Sequence, residues 1–289
     1  MSFFRSVRIT LEMIKWEHSV LALPFALIGA MLAAHGIPHL IPLLWIIACM
    51  VTARSAAMAF NRWADARLDA ENPRTAMRAI PAGLLSRSFV GGFTLFMSAL
   101  FIFCAAQLNR LTFELAPVAL AIVFFYSYTK RLTRWSHVFL GLSMSVAPIA
   151  AWIAIRGSID PRILVLVLVV LFWGAGFDTL YACQDAEHDR THGLNSVPSK
   201  FGLPAAFAIA RTFHILMLAT LIWLVRLFHL GPLAVVGVVA VAGLLLYEHS
   251  LVSPKDIRRM NAAFFTMNGI IAVVLFVFVA ADLLLRPVL

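Results

Sequence analysis

A long apolar segment of the sequence ends in the residues Asn61-Arg62-Trp63-Ala64-Asp65-Ala66-Arg67-Leu68-Asp69, the most informative stretch for the fold. A counterpart that begins 117 residues later reads Asp178-Thr179-Leu180-Tyr181-Ala182-Cys183-Gln184-Asp185-Ala186-Glu187-His188-Asp189. Both stretches contain the pattern Asp-Ala-x-x-Asp at the end of an apolar segment. The repetition indicates a weak internal duplication that brings two sets of carboxylates to the same depth of one helical bundle.

The apolar segments around these stretches define the class of protein. Of the 289 residues, 62% are hydrophobic and only 13% are charged, whereas an average soluble domain has about 25% charged residues. A soluble globule cannot hide so much apolar surface. We therefore predict an all-α integral membrane protein, with residues 1–289 forming a single membrane domain around a central cavity. Nine transmembrane helices are predicted, at 18–36, 40–62, 88–107, 111–129, 136–155, 162–184, 203–226, 231–249 and 262–285.

The distribution of basic residues predicts the orientation. Seventeen of the 23 Lys and Arg residues fall at the N-terminus and in every second connection, while five fall on the opposite side. Because cytoplasmic connections carry the excess of Lys and Arg, we expect a cytoplasmic N-terminus and both acidic stretches at the cytoplasmic edge. This placement explains the net charge of +9 without a nucleic-acid partner.

The two acidic stretches offer oxygen ligands at helical spacing, so each set is expected to share one helix face. The sets are Asn61, Asp65 and Asp69, followed by Asp178, Asp185 and Asp189. Such ligands suit Mg²⁺, which typically bridges to substrate phosphates, and two facing sets indicate two or more ions around one diphosphate. The alternative is a pair of solvated helix ends, with Asp65 and Asp69 paired to Arg62 and Arg67.

A diphosphate beside these carboxylates needs further cations, because the combined negative charge exceeds that of two Mg²⁺ ions. The same face of the membrane supplies Arg74, Arg78, Lys130 and Arg131. The alternative role of these residues is the orientation signal itself. An ion-coupled secondary transporter is the alternative of another class, but it predicts carboxylates near the midplane rather than at one edge.

The paired stretches resemble the Asp-rich motifs of the UbiA superfamily of intramembrane aromatic prenyltransferases. The segments Asn72-Pro73-Arg74-Thr75 and Tyr126-Ser127-Tyr128-Thr129-Lys130-Arg131 are similar to that family as well. Within it, the stretch from Asp178 to Asp185 resembles the 4-hydroxybenzoate polyprenyltransferase branch. Lys15-Trp16-Glu17-His18 resembles a bacterial subgroup that includes candidate prenyltransferases for 1,4-dihydroxy-6-naphthoate.

This resemblance implies one UbiA-like prenyltransferase domain in the bacterial cytoplasmic membrane, with its active site on the cytoplasmic side. It implies transfer of a polyprenyl group from polyprenyl diphosphate to an aromatic acid in quinone biosynthesis. The expected acceptor is 4-hydroxybenzoate, modified ortho to its hydroxyl, and the alternative is 1,4-dihydroxy-6-naphthoate in a menaquinone pathway. The implied Mg²⁺ ligands are Asn61, Asp65, Asp69, Asp185 and Asp189. The implied diphosphate-binding residues are Arg74, Arg78, Lys130 and Arg131.

Three further residues are candidates for the acceptor site. Arg54 is the only basic residue deep within a predicted segment, and it lies two turns from Asn61 on the same face. A buried arginine in a membrane needs an anion, either the acceptor carboxylate or an internal acid. Asp178 has the corresponding depth and either acts on the acceptor phenol or pairs with Arg54. Tyr181, one turn away, is an accessory donor, while Glu114, Glu248 and His18 receive no assigned role.

Overall fold

The fold is a helical bundle, seen in a computed structural model that describes residues 3–15 and 21–285. Those residues contain no β-strand, and the prediction of an all-α membrane protein is confirmed. Two turns of other helical type occur, a 3₁₀ turn at Ala182–Asp185 and a π-helical turn at Ala262–Met267. The α-helices are α1 (Phe3–Ile14), α2 (Leu23–Ala34), α3 (Leu40–Ala64), α4 (Ala66–Glu71), α5 (Arg87–Ala106), α6 (Arg110–Leu132), α7 (Ser136–Arg156), α8 (Ile163–Tyr181), α9 (Ala186–Thr191), α10 (Val197–Leu227), α11 (Pro232–Leu251) and α12 (Asn268–Leu285).

Eight helices among the described residues are long and apolar enough to cross a bilayer. They coincide with the eight predicted segments that follow the first. The first, 18–36, overlaps α2, whose 12 residues rise only about 18 Å against a hydrocarbon core of about 30 Å. Part of that segment lies outside the described residues. A ninth span and the orientation of the N-terminus therefore stay predictions.

Helix α10 contains a break that fits the predicted start of a span at residue 203. Gly202 has a φ of +81°, a value that side chains disfavour and glycine tolerates. Pro204 follows two residues later, where it suits the first turn of a new helix. The residues before Gly202 thus form a separate turn at the same end of the bundle as the acidic stretches.

The closest helix packing joins α7 and α8. A Cβ placed on Gly174 of α8 would lie 2.8 Å from the Cα of Gly141 on α7, and a Cβ on Gly141 would overlap the carbonyl oxygen of Leu171. These two glycines let the helix backbones touch, as small residues commonly do in membrane bundles. The contact lies about one turn after the start of α7 and about two turns before the end of α8.

Buried polar contacts connect further helices. Glu248 on α11 accepts a hydrogen bond from Asn268 on α12 at 3.2 Å, and Asn268 accepts one from the Trp173 indole on α8 at 2.7 Å. Asn268 therefore links three helices, and Glu248 is its acceptor on α11, a role that the place of Glu248 in the sequence did not reveal. Glu114 forms an exposed ion pair with Arg110 on its own helix, which contributes little to stability.

We predict that Gly141→Ala destabilises the protein, because the added methyl group forces α7 away from α8 at a cost of about 1–3 kcal/mol. The matched control is Gly92→Ala on α5, where a Cβ meets nothing within 4 Å. The control should keep or slightly raise the melting temperature, since Ala favours a helix over Gly. Thermal unfolding in detergent, followed by size-exclusion chromatography, measures both variants. Equal melting temperatures for Gly141→Ala and the wild type would contradict the close packing.

Candidate active site

The two acidic stretches meet at one end of the bundle, which we call the polar end and define by Asp65 and Asp185. Each of these aspartates interrupts its helix. Asp65 lies between α3 and α4 with φ −94° and ψ 5°, and Asp185 ends the 3₁₀ turn and precedes α9 with φ −103° and ψ 4°. The continuous helix face expected for each set is therefore broken, in the same way in both stretches. The shared backbone conformation agrees with the repeated Asp-Ala-x-x-Asp pattern.

Four aspartates at the polar end form ion pairs with the four cations that the sequence analysis assigned to a diphosphate. The aspartate side chains are 2% to 22% exposed. The nearest nitrogen–oxygen distances are 2.5 Å for Arg74–Asp185, 2.6 Å for Arg78–Asp69, 2.8 Å for Arg131–Asp65 and 3.4 Å for Lys130–Asp189. Positive and negative charge are thus balanced one to one.

The alternative pairing of Asp65 and Asp69 with neighbouring arginines is wrong. Arg67 instead pairs with Glu71, at 3.4 Å on the exposed face of α4. Arg62 donates to the Asn61 side-chain oxygen at 3.2 Å. The two aspartates turn away from the solvated helix face and toward cations supplied by other segments.

Arg74 ties the segment after the first stretch to the second stretch. Its Nε and Nη2 donate to the two Asp185 oxygens at 2.7 and 2.5 Å, and its Nη1 donates to the Tyr181 hydroxyl at 3.0 Å. Burial by itself would lower the pKa of Arg74, but the hydrogen bonds and charge of Asp185 raise it above its ordinary value. Tyr181 thus contacts Arg74, one of the residues predicted to bind the diphosphate.

Asn72 is a site residue that the sequence analysis quoted only as part of a motif. Its side-chain nitrogen donates to Asp185 at 3.1 Å, while its side-chain oxygen accepts the backbone N–H of Arg74 at 2.9 Å. Asn72 therefore shapes the turn that presents Arg74 and also contacts the same aspartate. The turn-forming sequence Asn-Pro is the signal that could have identified it.

The Asp65 carboxylate accepts hydrogen bonds from two residues. Asn61 donates to it at 2.9 Å, and Arg131 donates to its other oxygen at 2.8 Å. Burial raises the pKa of Asp65 to about 6, against the lowering effect of the Arg131 charge. Any further positive charge beside this carboxylate would favour its ionised form.

The oxygen ligands of the polar end fit Mg²⁺. Among the described residues, no three His, Cys, Asp or Glu side chains converge as a preformed metal centre. Mg²⁺ requires only one or two carboxylates, because waters and substrate phosphates complete its shell. The buried Oδ2 atom of Asp69 has no hydrogen-bond partner, and such an unpaired acceptor suits a cation.

A small polar cavity at this end adjoins a large apolar one. The polar cavity has a volume of about 150 Å³ and the apolar cavity about 1170 Å³. The apolar cavity follows α6 from Tyr126 to Thr112, a distance of about 21 Å at 1.5 Å per residue. Seven residues line both cavities, namely Asn61, Arg62, Arg74, Arg78, Tyr126, Asp178 and Tyr181.

Arg54 lines the apolar cavity. Its Nε atom is buried without a hydrogen-bond partner, and no ion pair among the described residues includes it. A buried cation without an internal counter-charge is costly unless a ligand supplies the charge. Lys15 lines the same cavity, while His18 lies outside the described residues.

Asp178 pairs with a histidine and not with Arg54, so that alternative is wrong. The Asp178 Oδ2 atom lies 2.7 Å from the Nδ1 atom of His137, whose side chain is fully buried. His137 could not be identified from the sequence, because it is one polar residue at the start of an apolar helix and belongs to no motif. Only the packing of α7 on α8 brings it to Asp178.

Solved structures share this fold. A UbiA homologue from Aeropyrum pernix, determined without ligand, is 30% identical and superposes with a TM-score of 0.85 over 93% of this chain and 98% of that one. A UbiA homologue from Archaeoglobus fulgidus, bound to DMAPP and Mg²⁺, is 18% identical and has a TM-score of 0.72 over 95% and 98% of the two chains. The second likeness shows the fold alone.

Sequence comparison gives the same family. The 4-hydroxybenzoate octaprenyltransferase of Vibrio cholerae is 31% identical over 184 residues. That alignment covers 64% of this chain and 65% of the relative, so the match spans somewhat less than two thirds of either protein. Residues 22–270 match the UbiA prenyltransferase family over most of the chain. The chain therefore belongs to the UbiA prenyltransferase family.

Proposed function

We propose that this protein transfers a polyprenyl group from its diphosphate to an aromatic acid, most simply 4-hydroxybenzoate. The observation that carries the proposal is the set of four aspartate–cation pairs at the mouth of an apolar cavity. A prenyl diphosphate has the complementary shape, with a strongly anionic head and a long apolar chain. Two relatives support these substrates: one is named a 4-hydroxybenzoate octaprenyltransferase, and another was solved bound to DMAPP.

The diphosphate head would bind at the polar end. Arg74, Arg78, Lys130 and Arg131 can turn from their aspartates to phosphate oxygens, which they bind with charge-assisted hydrogen bonds. The residues that would hold the metal are Asn61, Asp65, Asp69, Asp185 and Asp189. Bound Mg²⁺ would supply positive charge that stabilises the negative charge on the leaving diphosphate.

The reacting end of the prenyl chain would lie where the two cavities adjoin. Breaking the bond between its first carbon and the diphosphate oxygen leaves an allylic carbocation, which water would destroy. The apolar lining excludes water, and Tyr126 and Tyr181 at the boundary offer ring faces that attract a cation. Asp178, which lines both cavities, would accept the hydroxyl proton of the acceptor, so that the ring carbon ortho to the hydroxyl becomes a better nucleophile.

Arg54 would bind the acceptor carboxylate, because it is a half-buried cation beside the cavity whose buried Nε atom has no hydrogen-bond partner. This contact suits 4-hydroxybenzoate and 1,4-dihydroxy-6-naphthoate equally, since both carry a carboxylate. Competition between the two acids, with the product identified by its mass, distinguishes them. The excess of Lys and Arg in the connections supports the cytoplasmic side of the bacterial membrane as the site of reaction.

We predict that membranes containing the protein prenylate 4-hydroxybenzoate only when Mg²⁺ is present, and that Asp185→Asn lowers kcat at least about 100-fold. Loss of a group that only supports a metal ligand lowers activity about 10- to 100-fold, and Asp185 is proposed to bind the metal directly. The matched control is Asp256→Asn, an exposed aspartate that also pairs with an arginine but lines neither cavity. Product formation is measured by chromatography. Undiminished turnover in chelator, or equal rates for both variants, would rule out the metal site.

We predict that Arg54→Gln raises the acceptor KM about 10- to 100-fold, the loss expected for a hydrogen-bonded charge. The KM for the prenyl diphosphate should stay unchanged. The variant should also lose the preference of the wild type for 4-hydroxybenzoate over its neutral amide. Because Arg54 has no internal partner, its neutral replacement should not lower the melting temperature. An unchanged acceptor KM would remove Arg54 from the acceptor site.

A further inference from the structure

We propose that His137 is a positioning residue that holds the Asp178 carboxylate for its reaction with the acceptor hydroxyl. The inference rests on the proposed function, in which Asp178 accepts the hydroxyl proton. His137 itself contacts neither cavity. It acts through its 2.7 Å contact with Asp178.

The hydrogen bonds of His137 determine which of its ring nitrogens carries the proton. The backbone N–H of Val197 points to Nε2 at 3.3 Å. A backbone N–H can only donate, so Nε2 must accept and cannot carry a proton. The neutral ring then carries its proton on Nδ1, which donates to Asp178. His137 is therefore a fixed donor, oriented by a second contact on its far side.

The contact with Val197 holds the far side of the His137 ring. Val197 is the first residue of α10, and Ser196 caps that helix by accepting the backbone N–H of Ser199. The His137 side chain is fully buried, so its ring is held between this capped turn and Asp178.

This arrangement leaves one Asp178 oxygen for the substrate. Oδ2 is occupied by His137, while Oδ1 makes no hydrogen bond to a described residue, and Asp178 lines both cavities. A carboxylate held at one oxygen has a fixed plane, so the direction of its free oxygen is fixed as well. Such support of a reacting group by a second contact is a general requirement for precise positioning.

In the proposed reaction, Asp178 is the base and the diphosphate is the leaving group. Asp178 Oδ1 takes the hydroxyl proton of the acceptor while the prenyl C–O bond breaks and its electron pair leaves with the diphosphate. The ring carbon ortho to the oxygen forms the new C–C bond. The proton on that carbon passes to the released diphosphate, and Asp178 returns its proton to the oxygen. His137 keeps its Nδ1 proton throughout.

The test compares His137→Phe, which fills the space without a donor, with His137→Asn, whose amide N–H can replace the Nδ1–H. We expect Phe to lower kcat about 10- to 100-fold, as loss of such supporting contacts does, and Asn to restore it to within about 5-fold of wild type. The KM values for both substrates should change little. If the Phe variant does not fold, His137→Met replaces it, with the folded state checked by melting temperature.

A double-mutant comparison separates positioning from general structural support. In an Asp178→Asn background, His137→Phe should lower kcat by less than about 3-fold further, because either change alone already disrupts the same pair of coupled residues. Equal losses in the two backgrounds, or no rescue by Asn, would overturn the inference. A wild type that forms no prenylated 4-hydroxybenzoate would instead overturn the proposed function. If the wild type is active and His137→Phe is fully active as well, the role of His137 is overturned and the proposed function is not.

Discussion

Carboxylates at the edge of a membrane bundle must be compensated, and this constraint organises the polar end. Four largely buried aspartates would be unstable there without partners, and each one has an arginine or lysine within 3.4 Å. The proposed function assigns the same cations to the diphosphate. Ion pairing holds both halves of the site in place. In the proposed reaction, Mg²⁺ would replace the cations beside the aspartates, and the diphosphate would replace the aspartates beside the cations.

The helices fix this arrangement through local breaks and close packing. Asp65 and Asp185 each stand where a helix is interrupted, with nearly the same backbone angles, so each stretch contributes carboxylates from two directions. The contact of Gly141 with Gly174 brings α7 and α8 together. That packing places His137 beside Asp178 at the boundary between the polar and apolar cavities.

Much of this site could be predicted from residue type and spacing. The repeated Asp-Ala-x-x-Asp pattern indicated that Asp65 and Asp185 lie at one end, and charge balance indicated the need for the neighbouring cations. Individual partners could not be predicted, because Arg131 reaches Asp65 across 66 residues of sequence and spacing cannot reveal such contacts. The same holds for His137, which replaced Arg54 as the partner of Asp178. The first predicted span also remains untested, since α2 is too short to cross alone.

The exchange of partners at the polar end can be measured without turnover. The probe is a prenyl diphosphate in which sulfur replaces the oxygen between the first prenyl carbon and phosphorus. This analogue binds but reacts slowly, and it is titrated calorimetrically into the purified protein. If the four cations are released from their aspartates by metal and diphosphate together, tight binding requires Mg²⁺ and is lost in chelator. Equal affinity with and without Mg²⁺ would contradict the shared use of these cations.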